Sequence, residues 1–231
     1  MNGPEGGVQA ERAVQDFSFT ADELRALAQG RLIAPADRET LLVEEPPRRS
    51  DFDLNPEMDP VRDAASPQRR PAAVLIPVID RRPEATILLT RRMPHLRAHA
   101  GQIAFPGGRM EEGDVSPAHT ALREAQEEVG LPPDHVELLG FLESYQTSTG
   151  YRVAPAVGIV TPGFELVPDA REVEEAFEVP LRFLMSAENH ELHSRPWRGS
   201  RRYYYAMPYG ERYIWGATAG MLRNLYDWLY R

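Results

Sequence analysis

One stretch limits this chain more than any other: Gly107 to Leu131, GGRMEEGDVSPAHTALREAQEEVGL. It reads as a glycine turn, an acidic loop and then one helix crowded with glutamate. Ser116 suits the N-cap, Pro117 the first helical position and Gly130 the position just past the last turn. At about 100° per residue, Ala118, Ala121, Leu122, Ala125 and Val129 share one arc, the expected buried face. Glu124, Glu127 and Glu128 share a neighbouring arc. Carboxylates at i, i+3 and i+4 repel one another. A hard divalent cation, Mg²⁺ or Mn²⁺, would offset that repulsion, because such ions take oxygen ligands and bridge protein carboxylates to substrate phosphates. The plainer reading is a solvated face made of a good helix former. The glycine turn ahead of the helix tells against it.

The run Arg123 to Leu131, REAQEEVGL, resembles the signature of the Nudix hydrolases, R-E-U-x-E-E-x-G-U, with Ala125 as the small apolar residue at the first U. The preceding half departs from that signature. Counted back from Arg123, the acidic position falls on Val115 and the glycine on Arg109, so Gly108 and Asp114 fit only with one residue inserted before the helix. Residues 88 to 108, LLTRRMPHLRAHAGQIAFPGG, are similar to the signature of the coenzyme A pyrophosphatase branch. Leu88, Leu89, Thr90, Arg92, Arg97, Gly101, Phe105, Pro106, Gly107 and Gly108 match it. Met93 stands where the branch prefers Ser or Ala. The extra residue ahead of the helix also resembles this branch, as do Gly150, Tyr151, Arg152, Val153, Pro155 and the run IWGATAGML at 214 to 222.

Composition narrows the rest. A chain of 231 residues can bury one sizeable core with an appendage. Its net charge of −9 argues against a nucleic-acid binder, which needs a basic footprint. With no cysteine there is no disulfide framework, thiolate metal site or cysteine nucleophile. No apolar run reaches the length of a bilayer span, and the acidic start does not read as a signal peptide. The expectation is a cytoplasmic protein with no membrane partner.

In chain order, residues 1 to about 16 read as disordered. Phe17 to Gly30 offers one short helix, with Thr20 and Glu23 at capping-box spacing and a stripe of Leu24, Leu27 and Ala28. Residues 34 to 71, rich in Pro, Asp and Arg, read as a linker or a draped loop, or as an arm reaching a partner subunit in a homodimer. Residues 1–69 thus form an N-terminal extension and 70–231 the main domain. Ala73 to Ile79, Ala85 to Thr90, Gln102 to Phe105 and Val136 to Ser144 are expected strands. Tyr145 to Gly150 is an expected loop. Val153 to Val160, with Pro155 and Gly158 inside, is expected at an edge or a bulge. Glu172, Glu174 and Glu175 fall in a short helical stretch, either as a solvated face or with one acid near the metal, as in some Nudix enzymes. Arg202 to Trp215 reads as a hairpin, its tyrosines packing or stacking a base, and Ala217 to Tyr230 as a closing amphipathic helix.

The pattern is α/β, a mixed β-sheet between helices, and the resemblance implies the Nudix fold. It further implies a metal-dependent diphosphatase. The substrate would be coenzyme A, or its acyl or oxidised forms, and the products 3′,5′-ADP and 4′-phosphopantetheine. Glu124, Glu127 and Glu128 would hold Mg²⁺ or Mn²⁺, and Arg123 would orient a glutamate. Arg92 and Arg97 would hold phosphates, since guanidinium forks bind phosphate oxygens in pairs. Gly101, Gly107 and Gly108 would shape the backbone around them. Two other readings stand beside this one. The chain could hydrolyse another nucleoside diphosphate derivative, such as ADP-ribose or a dinucleotide, or bind a nucleotide without cleaving it, as a sensor.

Overall fold

Strand β2, Arg70–Ile79, is buried on both faces, which is why it reads as one continuous apolar run. The structure, a computed structural model, describes residues 17–33, 49–58, 70–96, 99–197 and 199–231. The expected disordered start and most of the expected linker, residues 34–48 and 59–69, lie outside these. Period-two alternation divides the side chains of β2. Ala73, Leu75 and Ile79 join one apolar cluster, and Ala72, Ile76 and Val78 join another across the sheet.

Ten residues of β2 run parallel to β8, Tyr151–Val160, from Arg70↔Tyr151 to Ile79↔Val160. Strand β3, Thr86–Arg92, follows antiparallel to β2 and carries β4, Ile103–Ala104, and β9, Val173–Pro180. Strand β5, Gly107–Arg109, pairs with the first half of β2. On the far side, β8 carries β6, Val136–Phe141, and β7, Tyr145–Gln146, and β7 takes β1, Arg49–Ser50. These nine strands form one mixed sheet. Helix α2, Pro117–Val129, covers one face. Helices α1, Ala21–Ala28, and α4, Ala217–Leu229, cover the other, with the short α3, Leu181–Leu184. A separate three-stranded sheet, β10 (Glu191–Trp197), β11 (Ser200–Tyr209) and β12 (Arg212–Trp215), completes the α/β Nudix-like layering.

Three expectations change. The Val153–Val160 run is central, not an edge, since β8 has partners on both sides. Pro155 is tolerated because it falls between the last residue registered with β7, Val153, and the first registered with β6, Ala156. The Glu172 to Glu175 stretch is not helical. Val173 begins β9, whose buried Val173, Phe177 and Val179 face the core and whose backbone pairs with β3. The expected loop at Tyr145 begins as a strand, because β1 and β8 pair with Tyr145 and Gln146 from either side. Strand β10 had no counterpart in the expectations, since ELHSRPW carries no clear apolar alternation.

The described parts of the first 69 residues pack onto the domain. In α1 the Thr20 hydroxyl accepts the Glu23 N–H at 3.2 Å, while the Glu23 carboxylate reaches the Phe19 N–H at 2.7 Å. Phe19 stacks on Tyr230 with ring centroids 5.5 Å apart. Asp51, just after β1 and half-buried, accepts from Tyr145 Oη at 3.0 Å, Ser148 N–H at 2.8 Å and Arg202 Nη2 at 2.9 Å.

Candidate active site

Helix α2 is fixed at both ends by its own sequence. Ser116 Oγ accepts the His119 N–H at 3.2 Å, Pro117 opens the first turn, and Gly130 at φ 71° donates back to Ala125 and Gln126. Ala121, Ala125 and Val129 are buried against β2 and β8, with Ala118 and Leu122 partly buried beside them. That seating turns Glu124 and Glu128 toward β5 and the end of β3.

Glu128 is 5% exposed. One of its carboxylate oxygens accepts the Gly107 N–H at 3.2 Å, and the other lies 3.3 Å from Arg92 Nη1. Burial pushes its carboxyl up to about 7, against the opposing pull of Arg92 and the Gly107 N–H, while the charges of Glu124 and Glu172 push it further up. Glu124 is raised as well, by burial first, with Arg123 opposing. A Cβ on Gly108 would stand 2.4 Å from a Glu124 carboxylate oxygen, so only glycine leaves the carboxylate room there. At Gly107 a Cβ would stand 2.5 Å from the Ala73 carbonyl oxygen of β2.

Arg123 stands behind the two glutamates. It holds Asp114 through Nε and Nη2, both at 3.0 Å, and reaches Glu124 and Glu127 at 2.9 Å each. Asp114, its side chain 2% exposed, also accepts from the Glu111 N–H and the Thr120 hydroxyl at 2.9 Å, and His119 Nδ1 lies 2.9 Å away. The Arg123 fork, outweighing burial, holds the Asp114 carboxyl well below the usual carboxylate range. The sequence left Asp114 in doubt, because an inserted residue blurs the count. The structure makes it the seat of Arg123.

Arg92, Gly107, Gly108, Arg123, Glu124, Glu127 and Glu128 thus meet in one region. Gly101 stands back from the carboxylates. At φ 66° it donates to the Arg92 carbonyl at 3.1 Å and turns the loop behind that residue. Arg97 lies outside the described residues. Glu127 is 60% exposed and points to Arg123, and among the described residues no three or more His, Asp or Glu side chains converge on a common cation position. Of the later acids, Glu172 comes to the site, with its carboxylate 3.5 Å from Arg92 Nη2 and its carbonyl accepting the Met93 N–H at 2.8 Å. Glu175 instead pairs with Arg91 and Arg212.

The donor set fits a hard cation. Two carboxylates one helical turn apart, Glu128 buried and Glu124 half-buried, are both shifted toward protonation and set in a cradle that a side chain on Gly108 would fill.

Residues 68–203 match the family model described as the NUDIX domain. The "Uncharacterized Nudix hydrolase NudL" of Escherichia coli K12 is 43% identical over 156 residues, covering 68% of this chain and 81% of that protein. Among solved structures, a MutT/nudix family protein from Enterococcus faecalis has a TM-score of 0.46 at 14% identity, over 70% of this chain and 62% of that one. A C. elegans Ap4A hydrolase has a TM-score of 0.42 at 16% identity, over 48% and 80%.

Proposed function

The chain belongs to the Nudix family of hydrolases, and on that premise we propose that it cleaves the diphosphate of coenzyme A, or of its acyl or oxidised forms. The products are 3′,5′-ADP and 4′-phosphopantetheine or its derivative. One observation carries this reading. Arg92, from the stretch that resembles the coenzyme A pyrophosphatase branch, lies 3.3 Å from Glu128 of the glutamate helix. The branch-like loop and the carboxylates therefore address the same reacting group.

A diphosphate repels nucleophiles through its negative oxygens. Glu124 and Glu128, with Glu127, would hold Mg²⁺ or Mn²⁺. When bound, the ion would neutralise phosphate charge and make a water more acidic. The chain's own residues do the rest. Arg92 presents its fork to phosphate oxygens and the Gly107–Gly108 turn lets the backbone approach them, while Arg123, seated on Asp114, keeps Glu124 in place. Hydrolysis forms a new P–O bond to the water oxygen, whose proton is released to solvent, and breaks the bridging P–O bond, whose electrons leave on the departing phosphate.

Product analysis with coenzyme A and ADP-ribose side by side, with Mg²⁺ or Mn²⁺, tests the proposal. Coenzyme A is expected to release 3′,5′-ADP faster than ADP-ribose is cleaved, and Glu124→Gln is expected to abolish that release. Faster cleavage of ADP-ribose would make this a hydrolase of another nucleoside diphosphate derivative. Binding without cleavage of either would make it a nucleotide sensor.

A further inference from the structure

Strand β10 ends the three-stranded sheet, and among the described residues no strand pairs with its outer edge. Its seven residues, ELHSRPW, are exposed or half-buried throughout. An open edge offers a row of N–H and C=O groups to another strand. Next to it, β11 runs past the end of β12, and there the edge is closed. The Asn55 amide donates to the Tyr203 carbonyl at 2.8 Å and accepts the Tyr203 N–H at 2.7 Å.

This closure fixes which groups of β10 face outward. Tyr203 is registered with Ser194 but spends both backbone groups on Asn55. The Ser194–Tyr203 pair is therefore the non-hydrogen-bonded kind, so the N–H and C=O of Ser194 point away from β11. By alternation those of Leu192 do too, and Pro196 presents its missing N–H on the same side, where an edge strand tolerates proline.

We propose that the β10 edge is a self-pairing surface, joining two copies of this chain in an antiparallel two-fold centred on His193. The sequence of the strand selects the occupant and the register. Centring on His193 sets Leu192 against Ser194 of the second copy, so that four N–H···O=C bonds close on outward-facing groups. It also sets Glu191 opposite Arg195 twice, in non-hydrogen-bonded pairs where side chains come closest. Centring on Ser194 instead sets Leu192 against Pro196, leaves two Leu192 carbonyls unmet and puts His193 opposite Arg195. In the favoured register the two Leu192 side chains, each 57% exposed in the single chain, become diagonal neighbours on one face. So short a seam corresponds to a dissociation constant of roughly micromolar order.

Sedimentation of the full chain over a wide concentration range tests this, with amide exchange at Leu192 and Ser194 followed in parallel. Wild type is expected to pass from monomer to dimer as concentration rises, with both amides slowing together. Glu191→Arg or Arg195→Glu alone sets like charges opposite twice and is expected to weaken the dimer roughly tenfold. The two together are expected to restore it. All of these are exposed positions, and an unchanged circular dichroism spectrum confirms the fold of each variant. A chain that stays monomeric overturns the proposal. If its Leu192 and Ser194 amides are nevertheless slow, the chain's own segment covers the edge. A dimer indifferent to both reversals also overturns it, by placing the interface elsewhere.

Discussion

Two arginine–carboxylate pairs flank helix α2, and they are built differently. Arg123 and Asp114 meet through two bonds of 3.0 Å, and a backbone N–H, a hydroxyl and an imidazole complete the coordination of the carboxylate. Arg92 and Glu128 meet at 3.3 Å, with one further bond from the Gly107 N–H. Asp114 is accordingly driven toward ionisation and Glu128 toward protonation, although both are buried. For Glu128 burial outweighs the two donors, while for Asp114 the donors, Arg123 first, outweigh burial, so the state of a carboxylate follows the balance of the two. The first pair is a finished support. The second leaves charge that a cation or a phosphate can complete.

Changes on either side of this contrast can break it. Glu128→Gln is expected to have the largest effect, a loss of diphosphatase activity of about 10³-fold, since a ligand to a charge-neutralising ion supports several kcal/mol of the barrier reduction. The same change removes a poorly matched buried charge, so thermal unfolding of the metal-free protein should show no loss of stability, with a gain of up to ~1–2 kcal/mol. A Glu128→Gln protein that unfolds more easily would place Glu128 with the supports.

Asp114→Ala comes next, with about 3 kcal/mol of stability lost in denaturant unfolding, because the half-buried Arg123 guanidinium loses the partner that takes two of its bonds. Its acid dependence carries a definite sign. Asp114 has a folded pKa below its unfolded value of about 3.9, so its contribution is complete above that pH. The contribution then falls away as pH drops toward the depressed folded value. Wild type and Asp114→Ala should therefore converge in stability only in strong acid. A difference that vanished already near neutral pH would contradict the assignment.

Arg92→Lys is the mildest of the three. It keeps the charge and loses the fork, so KM for the diphosphate substrate is expected to rise roughly tenfold with stability unchanged. A stability loss as large as that of Asp114→Ala would show the two pairs to be alike after all.

Local features of this chain were legible early. Ser116, Pro117, Gly130 and the apolar arc of α2 act within a few turns, and they appear where the sequence places them. The same holds for Thr20 at the start of α1, the β11–β12 hairpin and the stripe of α4. Features that depend on distant partners were not legible. Pro155 argued for an edge, yet β8 is central because its two antiparallel neighbours leave a gap at that residue. Glu174 and Glu175 suited a helix until β3 drew them into β9.

The sequence by itself determined the glutamate helix, its caps, the glycine turn before it and the family to which these point, because each rests on contacts between near neighbours in the chain. Only the tertiary structure decided that Glu172 reaches Arg92 across 80 positions, and that the Asp51 carboxylate meets Arg202 across 151. Pairings over such distances depend on which strands lie side by side, and hydrophobic pattern alone does not specify that order.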